Sequence, residues 1–153
     1  MGDNQHHQDG TKNVHAGTNH VGESVNTPIF LSSTYKLTEE RYAGWAAGAQ
    51  HTLLYSRISS VNSDAVAQKI CAMEGGEDAE TFASGMAAIS STLMMLLSQG
   101  DHMVASPDVY GGTYGLITEE LPRFGIETTM ADMTDPASYE AAIQPNTKIL
   151  YIE

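Results

Sequence analysis

The residues best suited to chemistry cluster at a helix start within ETFASGMAAISSTLMMLLSQGD, residues 80–101. Ser84 and Gly85 open an apolar stretch with no charged side chain before Asp101. The first amides of a helix lack partners inside it, and the helix dipole makes that end mildly positive. Gly85 allows close backbone approach, and Ser84, Ala87 and Ala88 keep the approach open. Such a corner suits a phosphate, and a carboxylate there would compete with it. The stretch is not a P-loop, because no Gly-Lys-Ser/Thr follows, and the G-x-G-x-x-G dinucleotide spacing is absent. Taken alone, these residues favour a plainer reading: a Ser N-cap on a buried helix, with glycine chosen for packing.

Other segments offer partners for such an anion. In LLYSRISS (53–60), Tyr55 and Arg57 stand two apart. In an extended segment they share a face, so a phenol and a guanidinium point at one target. The alternative is a surface Arg beside a half-buried Tyr. In PDVYGGTYG (107–115), Tyr110 precedes two glycines after an expected strand end. Ligands collect at the C-terminal ends of parallel strands, and a tyrosine there can stack on a flat ring. Otherwise Tyr110 fills core before a flexible turn. His6, His7, His15 and His20 have no common metal-ligand spacing and no cysteine beside them. Cys71 reads as a buried thiol rather than a nucleophile.

The elements that must position these residues follow from pattern. The chain has 153 residues, enough for one domain with a core, and a globular 41% hydrophobic content. Its net charge of −12 and lack of a basic stripe argue against nucleic-acid binding. No apolar run is long enough for a membrane span, no secretory signal is visible, and a single cysteine points to a reducing cytoplasm.

Residues 1–61 read as an arm and inter-subunit segment, disordered only over about the first dozen residues. VNTPIFLSSTYKL (25–37) is expected to be extended, broken by Pro28, and Trp45 either anchors the arm in a neighbour or packs locally. From 62 to 153 the pattern is regular. A helix capped by Asn62 or Ser63 uses Val66, Ile70 and Met73 and ends at Gly75-Gly76. A second runs from Ser84–Gly85 through Met86, Ile89, Leu93 and Leu97 to Gly100. Strands are expected at 102–106, 126–131 and 147–153. Helices are expected at 112–125, with Pro122 spoiling the last turn, and from Asp135-Pro136 to Ile143. Helix–strand alternation without a clean inside/outside period predicts an α/β layer with a mostly parallel sheet. A sequence that stops on a strand predicts an incomplete domain.

VHAG, VNTPIFLSSTYK, YSR, MEGGEDAETFASGMAAISS, GDHMVASPDVYGGTY, LPRFGIE and PNTKILYIE occur in this order over residues 14–153. Together they resemble the N-terminal part of the Cys/Met-metabolism enzymes that use pyridoxal 5′-phosphate (PLP). That family includes cystathionine γ-synthase, cystathionine γ-lyase, methionine γ-lyase and O-acetylhomoserine sulfhydrylase. The resemblance implies the first part of a fold type I, aspartate aminotransferase-like large domain, preceded by an arm. It implies γ-elimination or γ-replacement on sulfur amino acids or activated homoserine. It matches Gly85 and Met86 to the amides that hold the PLP phosphate. It matches Tyr55 and Arg57 to the pair reaching the phosphate of the neighbouring subunit, and Tyr110 to the tyrosine that stacks on the cofactor and assists proton transfer. A cytoplasmic homo-oligomer is implied, a dimer sharing active sites and assembled into a tetramer.

Where the family often reads Gly-Asn-Pro-Thr after the arginine, this chain has SSVN (59–62), which puts the local loop shape in question. The family's cofactor-anchoring lysine is expected downstream of Glu153, since Lys12, Lys36, Lys69 and Lys148 stand in the wrong contexts. The chain alone is therefore expected to be inactive. The other readings are a catalytically silent assembly subunit, or another fold type I enzyme such as an aminotransferase.

Overall fold

The computed structural model describes residues 9–18, 23–49 and 52–153. They form two compact units, one extending to Thr81 and one spanning Phe82–Glu153.

In the first unit, α1 (Asp9–His15) packs on α3 (Val61–Glu74), and α2 (Glu39–Ala46) lies between them in sequence. The sequence predicts neither α1 nor α2; residues 9–12, expected to be disordered, are helical. The Thr38 hydroxyl caps α2 by accepting from the Arg41 amide, with Glu39 and Glu40 in the favourable first turn. Trp45 lies on this helix, its ring 6.0 Å from that of Tyr42. The 25–37 segment forms no strand; its one bridge is antiparallel, Thr34 to Tyr55.

The cap of α3 is Ser60, not Asn62 or Ser63. Ser60 and Ser63 make a reciprocal capping box, and Gly75 closes the helix in the left-handed region at φ 68°. Asn62 is freed for another task. Its side-chain oxygen accepts from the Phe30 amide and its nitrogen donates to the Pro28 carbonyl, both at 2.8 Å. The SSVN stretch is thus a helix cap that also ties down the preceding segment.

The second unit alternates helix and strand as the pattern predicts. Its elements are α4 (Gly85–Leu96), β1 (His102–Ala105), α5 (Gly111–Gly115), β2 (Glu127–Met130), α6 (Pro136–Ala142) and β3 (Thr147–Tyr151). Its sheet is parallel, in the order β2-β1-β3. β1 is central and buried along its whole length. Met103 and Ala105 join Leu93, Leu97, Ile117, Leu121 and Ile126 in one core cluster. Val104 packs with Ala131 and Tyr139 in a second. Successive residues of a strand point to opposite faces, so β1 anchors both clusters.

Two boundaries are sharper than the sequence pattern. α4 ends at Leu96, before the expected Gly100, with Leu97 already extended. The 112–125 segment is not one helix: after α5 the chain makes a π-helical turn, Leu116–Glu120, then a 3-10 turn, Leu121–Phe124. Pro122 has no N–H for the Thr118 carbonyl, so regular spacing fails just before it. Asp135 and Pro136 open α6 as expected, the Asp135 carboxylate accepting from the Ala137 amide.

Candidate functional site

The start of α4 is open in the way an anion requires. Ser84 is extended, and its hydroxyl accepts from the Ala87 amide at 3.1 Å. The Ala88 amide bonds the Ser84 carbonyl. The Gly85 and Met86 amides have no acceptor among the described residues. No acidic side chain lies in the first turn, and a Cβ built on Gly85 meets nothing within 4 Å. The plain Ser cap and the open corner therefore coexist: Ser84 satisfies one amide and leaves two for a ligand. Two free amides at the positive end of a 12-residue helix fit a phosphate group.

Met86 and Tyr110 meet across Gly112. A Cβ there would lie 2.7 Å from the Tyr110 ring and 3.0 Å from the Met86 sulfur. Gly112 is thus the space that lets the ring and the thioether converge. The Thr113 hydroxyl also donates to the Met86 sulfur, at 3.9 Å. Tyr110 itself precedes α5 without a side-chain cap, and it keeps 64% of its surface exposed. It is not core filler. A broad aromatic face stands free beside the bare amides, just beyond the C-terminal end of β1, and such a face suits a flat ring.

Glu153 fixes the backbone at this point. Its Oε1 accepts from the Tyr110 amide at 3.0 Å, and its Oε2 accepts from the Tyr151 hydroxyl at 2.8 Å. The Tyr151 hydroxyl chiefly, with Thr113 and the Tyr110 amide, holds this carboxyl below its usual range. Burial and the adjacent Glu153 push the Tyr151 phenol up.

Tyr55 and Arg57 belong to the first unit. They do not lie in an extended segment. The Ile58 and Ser59 amides both bond the Tyr55 carbonyl, which turns the chain. The two side chains meet instead by stacking, with the Arg57 guanidinium carbon 5.3 Å from the Tyr55 ring centre. Both are exposed, and among the described residues no carboxylate takes up the guanidinium.

Two contributors escape sequence reasoning. Glu153 carries no local motif, and only the fold brings it to Tyr110. His102 is buried at the opposite end of β1. Its Nδ1 lies 2.7 Å from the Thr147 hydroxyl, and its Nε2 lies 2.8 Å from the Thr129 hydroxyl and 3.1 Å from the Gln144 amide nitrogen. Both ring nitrogens are thus engaged by polar neighbours. Cys71 is half-buried and donates to the Gly76 carbonyl. His6, His7 and His20 lie outside the described residues, among which no group of three or more His, Cys, Asp or Glu is placed to hold a metal. No helix among the described residues is long and apolar enough to cross a membrane.

The family model for Cys/Met metabolism PLP-dependent enzymes matches residues 10–153. The chain is 52% identical over 131 residues to cystathionine beta-lyase MetC of Bacillus subtilis, covering 85% of this chain and 31% of that protein. It is 38% identical over 146 residues to L-methionine gamma-lyase of Porphyromonas gingivalis, covering 94% and 36%. Among solved structures it resembles a putative O-acetylhomoserine (thiol)-lyase from Campylobacter jejuni that carries N′-pyridoxyl-lysine-5′-monophosphate. There the TM-score is 0.87 with 33% identity, over 96% of this chain and 37% of that one. The crystal structure of metB from Corynebacterium glutamicum gives a TM-score of 0.85 with 32% identity, over 98% and 38%. The chain thus spans about a third of the length of the relatives it matches. By its matched span and its fold, the chain belongs to the Cys/Met metabolism PLP-dependent enzyme family.

Proposed function

We propose that the chain is the N-terminal part of a PLP-dependent trans-sulfuration enzyme acting by γ-elimination or γ-replacement on a sulfur amino acid or an activated homoserine. The observation that carries this reading is the bare amide pair of Gly85 and Met86 beside the exposed ring of Tyr110. The Gly85 and Met86 amides would hold the phosphate of PLP, and Tyr110 would stack on the cofactor. Bound PLP supplies an electron sink for the charge left at the substrate Cα. By holding that phosphate, Gly85 and Met86 would orient the bond to be broken. The Tyr110 hydroxyl moves a proton at the departing γ substituent.

Tyr55 and Arg57 reach the phosphate of a neighbouring subunit, with residues 1–61 as the inter-subunit arm and 62–153 as part of the PLP-binding domain. The Arg57 fork then leaves the Tyr55 ring for a phosphate, which it grips with paired donors. The working form is a homodimer sharing its sites, assembled into a tetramer in the cytoplasm.

A second reading is favoured by the relative at 52% identity, a cystathionine beta-lyase. In that case the same site breaks the other C–S bond of cystathionine. Incubation of the intact PLP-loaded protein with cystathionine separates the two. With water consumed and ammonia released, γ-cleavage yields cysteine and 2-oxobutyrate; β-cleavage yields homocysteine and pyruvate. Transamination without C–S cleavage would sink both readings.

A further inference from the structure

We propose that Glu153 is the positioning residue for Tyr110, holding its hydroxyl where the departing substituent needs it. The inference rests on the reading of Tyr110 as the cofactor-stacking residue. Three observations carry it.

First, the Tyr110 carbonyl is held by α5, accepting from the Tyr114 amide at 2.9 Å, but no side chain of α5 caps its amide side. The ring is largely exposed and lies over Gly112. Second, the one bond to the Tyr110 amide comes from the end of another strand. Glu153 lies just past β3, 43 residues on, and its Oε1 accepts from that amide at 3.0 Å. Third, the carboxylate is itself held. Its Oε2 takes the Tyr151 hydroxyl at 2.8 Å, and Tyr151 packs against the buried cluster of α4 and β1.

Core, Tyr151, Glu153 and the Tyr110 backbone therefore form one connected path. Both Glu153 oxygens are engaged, so the carboxylate is an acceptor that sets geometry rather than a base that collects a proton. A hydrogen bond from the end of one strand to the segment after another helps keep a reacting group within tolerance.

The test uses the intact PLP-loaded protein and compares Glu153→Ala, Glu153→Gln, Tyr110→Phe and the double variant Glu153→Ala/Tyr110→Phe. PLP binding by the unaltered protein is measured first. Glu153→Ala is expected to lower kcat roughly tenfold to a hundredfold, with KM moved far less. It is also expected to alter the visible circular dichroism of the bound cofactor. Glu153→Gln retains an acceptor oxygen for the amide and recovers most of the loss. In the Tyr110→Phe background, which lacks the hydroxyl being positioned, adding Glu153→Ala is expected to cost less than about threefold in kcat.

A full cost that persists in that background would overturn the inference, as would an unchanged kcat and dichroism in Glu153→Ala. Either result, with PLP bound, leaves the cofactor reading intact. Failure of the unaltered protein to bind PLP overturns both. Should Glu153→Ala not fold, Glu153→Asp replaces it, since it keeps the charge but is one methylene too short to serve both donors.

Discussion

Met103 on β1 has no accessible surface, whereas Leu31 in the first unit keeps 97% of its own. The contrast extends beyond one pair. In the second unit, residues from α4, β1 and the turns after α5 close a common core around Met103. In the first unit, Ala67 and Ser59 are the buried residues among those described, while Val25, Ile29 and Leu31 stand exposed. The helical stripe of Val66, Ile70 and Met73 on α3 is exposed as well. Exposed apolar residues in such number mark a surface made to be covered. One unit supplies its own interior; the other buries little and exposes the apolar residues of the proposed inter-subunit arm together with a face of α3.

The largest effect expected from this contrast is on stability. Met103→Ala should cost about 2–5 kcal/mol in denaturant unfolding of the intact protein. Leu31→Ala should change the unfolding of dissociated protein by less than about 0.5 kcal/mol while weakening assembly in sedimentation experiments. Equal unfolding costs at the two positions would erase the distinction between the units.

Next comes the cross-brace below the site. His102→Leu strands the Gln144 amide and removes a partner from the Thr129 and Thr147 hydroxyls. Each buried group left without a partner costs about 1–3 kcal/mol. Thermal unfolding should register the loss, with kcat little changed because His102 lies at the end of β1 away from Tyr110.

A smaller change, about 1 kcal/mol, is expected for Ser60→Ala, which removes the cap of α3. Hydrogen exchange should place that loss in the first turn of α3 and leave α4 protected.

The smallest effects are those of pH, and they belong to the second unit. The depressed carboxyl of Glu153 contributes stability that is present above the usual carboxyl value of 4.5. That contribution is lost as pH falls through the lower folded value. Burial raises Tyr139, so its contribution is present below the usual 10.0 and is lost as pH rises through the higher folded value. Unfolding midpoints across pH should show the alkaline loss shrink in Tyr139→Phe and the acid loss shrink in Glu153→Gln.

Legibility in the sequence followed the same divide. The alternation of the second unit, its parallel sheet, the Asp135-Pro136 helix start and the Ser84 cap were all readable, because local pattern and tertiary burial agree there. The open corner at Gly85 was readable because small side chains surround a glycine at the expected helix start. In the first unit, α1 has no apolar period to read. α2 carried a usable signal, Thr38 followed by Glu39 and Glu40, but its Gly-Trp-Ala end obscured it. Asn62 is a good cap by type, yet tertiary bonds to Pro28 and Phe30 claim it. The period of Val66, Ile70 and Met73 correctly marks a face without saying what covers it. His102 and the Glu153 bond to Tyr110 depend on partners tens of residues distant, and no spacing rule reaches that far.

The account stands on the two free amides at the start of α4. The direct measurement is equilibrium binding of PLP, and of pyridoxal without its phosphate, to the intact protein and to Gly85→Asp. The substitution meets open space and puts a carboxylate where helices accept one, so folding should be unharmed. The account predicts that PLP binds far more tightly than pyridoxal. It also predicts that Gly85→Asp weakens PLP roughly tenfold or more, the cost of about one charge-assisted hydrogen bond, and leaves pyridoxal nearly unaffected. Equal binding of the two compounds, or undiminished PLP affinity in Gly85→Asp, would contradict it.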